Sequence, residues 1–158
     1  MATFGNLLAR KGGTAQTGAI VTFTLEMPGP DRNGPRIPTE AKALLLPVSV
    51  ARRARALRAA EAYVARCEDE AAKAGTPCEA PSLEEERAIR FLVEAMRDPD
   101  DSRVYFVGET ELAEFREAII VEQINYISEE YNKLKQREYF ELRPEDPAKM
   151  RADARTTF

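Results

Sequence analysis

Histidine is absent from the 158 residues. That removes the usual general base near neutral pH and the commonest metal ligand. A Ser/His/Asp or Cys/His catalytic arrangement therefore cannot be assembled. Cysteine is nearly absent too: Cys67 and Cys78 are separated by ten residues, with no CxxC pair and no second pair. Such spacing argues against zinc, and in a cytosolic protein both thiols stay reduced. No apolar run approaches the roughly 18 residues of a membrane span. The start, Met1-Ala2-Thr3-Phe4-Gly5-Asn6, lacks the basic-then-apolar layout of a secretory signal. Gly12-Gly13 is not followed by the lysine and hydroxyl of a phosphate loop, and no GxGxxG follows a strand. These absences predict a cytoplasmic protein without metal or cofactor, working by binding and not by catalysis.

What is present is charge, unevenly placed. The net charge is −4. Residues 49–66 hold five arginines against one glutamate, whereas 67–101 hold eleven acidic and four basic residues. Asymmetry of this kind steers a partner or pairs internally. The acidic groups Glu84-Glu85-Glu86 and Asp98/Asp100/Asp101 are read as a helix start and a turn. Acidic residues favour the positive end of the helix dipole, and the aspartates lack calcium-loop spacing.

Val21, Phe23, Leu25 and Met27 alternate with Thr22, Thr24 and Glu26, which predicts a half-buried strand over 19–27. Residues 28–38 carry four of the ten prolines and an Asn-Gly step and read as a loop. Lys42–Leu46 is the returning strand, with a short helix from Thr39 as the competing reading.

Val50, Ala54, Leu57, Ala60, Val64, Cys67 and Ala71 form one stripe at helical spacing, predicting a helix over 49–74. Ser82 and Glu85 have capping-box spacing for a second helix over 82–97, with Leu83, Ile89, Leu92, Val93 and Met96 inward. Val104–Val107 reads as a brief strand or extended plug. A third helix is predicted over 110–138, about 45 Å long. The expected architecture is mainly α: a three-helix domain with a small N-terminal β-hairpin. It divides into a flexible arm at 1–17, one domain at 18–143 and a loose charged tail at 144–158.

Two surfaces invite a partner. Arg52, Arg55, Arg58 and Arg66 point away from the first helix's apolar stripe. Ile119, Ile120 and Val121 are consecutive, and Tyr126 adjoins Ile127, so the third helix is apolar over more than one face. It is central to the core or shared with a partner. The expected protein-binding residues are Arg52, Arg55, Arg58, Ile120, Tyr126 and Tyr131, since aromatic and arginine side chains dominate interface energetics. The expected partner is a helical protein client, with self-association as a further option. The arginines also raise nucleic acid as a rival partner, disfavoured by the acidic net charge and sparse aromatics.

The chain resembles the tail assembly chaperones of long-tailed bacteriophages over residues 19–140. The parts that carry the resemblance are strand 19–27 and Leu44-Leu45-Leu46-Pro47-Val48-Ser49 leading into an Arg- and Ala-rich helix. Thr110–Arg116 and Ser128–Leu134 follow, the latter an acidic-Tyr-x-x-Leu pattern. The resemblance is one of layout and carries over no binding residue. It implies a small, mainly helical, non-enzymatic protein that holds the tape measure protein until the tail tube polymerises around it, in the host cytoplasm. A structural tail or neck protein and a small nucleic-acid-associated regulator are the alternatives.

Overall fold

The computed structural model describes residues 3–9 and 18–141, the side chains of 7–9 and 137–141 excepted. Within the expected N-terminal arm, Phe4–Ala9 forms a short helix, α1. The rest of that arm and the expected tail at 144–158 lie outside the described residues.

β1 spans Ala19–Met27 and β2 Ile37–Leu45. They pair antiparallel along their full length, from Ala19 opposite Leu45 to Met27 opposite Ile37. Alternation sends Val21, Phe23, Leu25, Ala43 and Leu45 to one buried face. β2 begins earlier than the prolines of 28–38 suggest. Thr24 N–H leaves the ladder for Gln123 Oε1 at 2.8 Å, so even-numbered β1 residues face away from β2. Pro38, opposite Glu26, is in the same phase, and its missing N–H removes no β1–β2 bond.

α2 (Val50–Ala74) is capped by Ser49, whose hydroxyl accepts from Arg52 N–H at 3.2 Å. It ends at Gly75, with φ 68° in the left-handed region that glycine favours. Its buried residues are Ala56, Ala60 and Val64, while Val50 is 88% exposed, so the stripe is rotated from the expected one. α3 (Leu83–Ala95) starts with the complete Ser82/Glu85 capping box.

The fold is α+β, which corrects the expected mainly α three-helix domain. The chain leaves α3 directly into a two-residue strand, β3 (Met96–Arg97), which pairs with Leu45 and Leu44. The sheet is three-stranded in the order β1-β2-β3. Two residues are too few to show a period, so this strand leaves no sequence signature. Val104–Phe106 then runs back beside it, with Asp98 N–H bonded to Val104 C=O at 2.8 Å.

The single third helix is also corrected. A 3₁₀ turn at Glu109–Glu111 leads into α4 (Leu112–Ala118), Ile119 is extended, and α5 covers Val121–Glu141. No glycine or proline marks the break. In one straight helix, Ile124 and Ile127 would point about 180° and 120° away from Phe115 at 3.6 residues per turn. All three are buried together with Ala118 and Ile119, and the break makes that possible. α3, α4 and α5 thus cover the inner sheet face, and α2 packs on α3.

Candidate protein-binding clefts

Two open clefts of opposite rim charge flank α2. The basic one, of about 600 Å³, lies between the first half of α2, α3 and α5. Each helix contributes an apolar side chain and a cation four residues apart: Leu57 with Arg53, Phe91 with Arg87, and Tyr131 with Lys135. At that spacing both side chains of a pair share one helical face. Val48 and Ala88 complete the floor, and among the described residues no carboxylate lines the groove. Arg87 is shared with Glu61 at 3.0 Å in an exposed pair, which screening makes weak. Tyr131 is fixed from both sides. Its hydroxyl accepts from Val48 N–H at 2.9 Å, and its ring meets Phe91 edge-on at 5.0 Å.

The acidic cleft, of about 910 Å³, lies between the second half of α2, the α2–α3 connection and the α4–α5 break. Its floor includes Ala71, Ile89, Ile119, Val121 and Ile124, and Glu70, Glu79, Glu85 and Glu117 stand around it. Among the described residues the one cation lining it is Arg116. Arg116 is committed to the fully buried Glu86, with Nη2–Oε1 at 2.7 Å and Nε–Oε2 at 3.0 Å. Arg90 Nε bonds the same carboxylate at 2.9 Å. Burial weighs against the charge of Arg116, but Glu86 prevails and holds the guanidinium above its ordinary range. That guanidinium lies 3.8 Å over the Tyr63 ring. Burial pushes the Tyr63 phenol up, helped by its hydrogen bond to Cys67.

The expected binding residues fall in different places. Arg52 is held by Glu94, at 3.2 Å to the carboxylate and 3.0 Å to the carbonyl. Tyr131 is 4% exposed, packed into the core while lining the wall of the basic groove. Arg55 and Arg58 are exposed; Arg55 borders a smaller hollow of about 340 Å³ beside Glu94 and Tyr105. Ile120 and Tyr126 are exposed. Tyr126 lies three residues from Gln123, on the flank of α5 that reaches β1 and opposite to Lys135. The arginines and the third-helix apolar residues therefore do not form one surface.

Arg53, Arg87 and Lys135 were not among the expected site residues. Their signal, a cation four residues from an apolar group, means something only once three helices are known to converge. In the sequence Glu86 likewise stands only as part of a helix start. It sits three residues before Ile89, on the inward stripe of α3, and that spacing marks it as buried. Among the described residues no group of three or more Asp, Glu or Cys side chains is placed to hold a metal, and no helix is long and apolar enough to cross a membrane. Comparison with protein-family models, curated proteins and solved structures finds no match to the chain.

Proposed function

We propose that this chain is a non-enzymatic factor that holds an amphipathic helix of a protein client, acting as a phage tail assembly chaperone in the host cytoplasm with the tape measure protein as client. The observation that supports it is the basic groove: an apolar floor of Val48, Leu57, Ala88 and Phe91, edged by Arg53, Arg87 and Lys135. A helix with an apolar face flanked by Asp or Glu satisfies both parts. Apolar contact then supplies most of the affinity, and the cations set register and association rate.

The test is co-expression with the tape measure protein and recovery of the complex at low and high salt. Retention at both, with loss of at least tenfold in affinity for Arg53→Glu/Lys135→Glu, is the expected result. Because the rim carries three cations, a nucleic-acid reading makes a contrary forecast: steep loss of DNA or RNA binding with salt, and no protein client. That outcome replaces the chaperone reading.

A further inference from the structure

We infer that the acidic cleft receives the outward face of α2 from a second copy, so that copies join head to tail. Ala51, Arg55, Arg58 and Ala62 recur at spacings of four, three and four and are all exposed. They form one narrow stripe along the first half of α2. Among the described residues, neither Arg55 nor Arg58 has an ion-pair partner. The alanines keep the stripe low on either side of the two guanidinium stems, so another backbone can approach closely.

The cleft supplies the complement. Glu70, Glu79, Glu85 and Glu117 stand over an apolar floor that includes the exposed Val121. Arg116 offsets at most one of these four carboxylates, and it is tied to the buried Glu86, which it shares with Arg90. An entering helix therefore meets carboxylates at the rim and aliphatic side chains below. A helix with arginines set between small apolar residues fits, and the chain itself carries one.

The stripe and the cleft cannot meet within one molecule, since both belong to the same rigid α2. Arg58 and Glu70 are about 18 Å apart along its axis. The contact is heterologous: one copy gives its stripe, the next its cleft, and each joined pair keeps one of each unused. Such an interface closes into a ring or grows as a filament. The inference is independent of the client reading, because the basic groove is a separate surface.

The experiment is sedimentation velocity on the full chain, over a concentration series at about 50 mM and 500 mM salt. Rim charges about a Debye length or more apart are largely screened at the higher value. The expected result is mass growing beyond a dimer at low salt and at least tenfold weaker association at high salt. Arg55→Glu/Arg58→Glu and Glu70→Lys/Glu117→Lys each give a monomer with unchanged circular dichroism. All four reversals in one chain restore assembly, which damage to the fold would not. A monomer throughout the series overturns the inference. So does a closed dimer insensitive to either pair of changes, or failure of the fourfold variant to reassemble. Capture of a basic amphipathic peptide by a chain that never self-associates also overturns it, and gives the cleft to that peptide.

Discussion

The Tyr131 hydroxyl accepts the backbone N–H of Val48 at 2.9 Å, tying α5 to the turn between β2 and α2. One side chain thus fixes the last described helix to the point where hairpin gives way to helix, and it sets the floor of the basic groove. Tyr131→Phe keeps the ring against Phe91 but leaves that N–H without its acceptor. The expected cost is about 1–2 kcal/mol, measured by urea denaturation. Client binding in the pull-down should stay within about twofold, because no charge on the rim changes; a large loss would place the hydroxyl in the binding contact itself.

Glu86 is fully buried between Arg90 and Arg116. Removing one member of a buried ion cluster leaves uncompensated charge, at a cost of roughly 3–5 kcal/mol. Glu86→Gln should therefore lower the melting temperature by on the order of 10 °C in scanning calorimetry. A shift of only a degree or two would mean that water reaches both guanidinium groups.

The edge of β1 is guarded by Gln123, whose Oε1 takes the Thr24 N–H. Gln123→Ala should cost about 1 kcal/mol and add an open donor to a strand edge. Exposed edges template strand pairing, so light scattering on warming should rise earlier than for the unaltered chain. Unchanged aggregation would show that α5 shields the edge by bulk alone.

Tyr63 gives an alkaline signature. Its phenol is held above the ordinary value of 10.0, first by burial. The folded state therefore favours the neutral, protonated form. The stabilisation is fully present below about pH 10 and is lost as pH rises through the folded value. Stability followed by denaturation between pH 9 and 11.5 should fall less steeply for Tyr63→Phe. Parallel curves would assign the alkaline loss to other groups.

Much of this architecture is legible in the residues. The alternation from Val21 to Met27 gives β1, the capping box at Ser82 gives the start of α3, and Gly75 gives the end of α2. The α4–α5 break was also present as geometry, in the opposed directions of Phe115 and Ile124, though no breaker residue announces it. β3 was not legible, because its two residues are specified by Leu44 and Leu45, a third of the chain away. The clefts were hidden for a related reason. Rim charge is visible in a sequence, but which rims face one another depends on how helices converge.

The buried hairpin face has a consequence for synthesis. Val21, Phe23 and Leu25 leave the ribosome early, yet the residues that cover them extend to Leu134. At about 5–20 residues per second, that face stays incompletely covered for on the order of ten seconds. During that interval the nascent chain exposes apolar side chains of β1 and β2 that α5 has yet to cover. A slow translational pause before α5 would lengthen that exposure, and aggregation on the ribosome would grow with it.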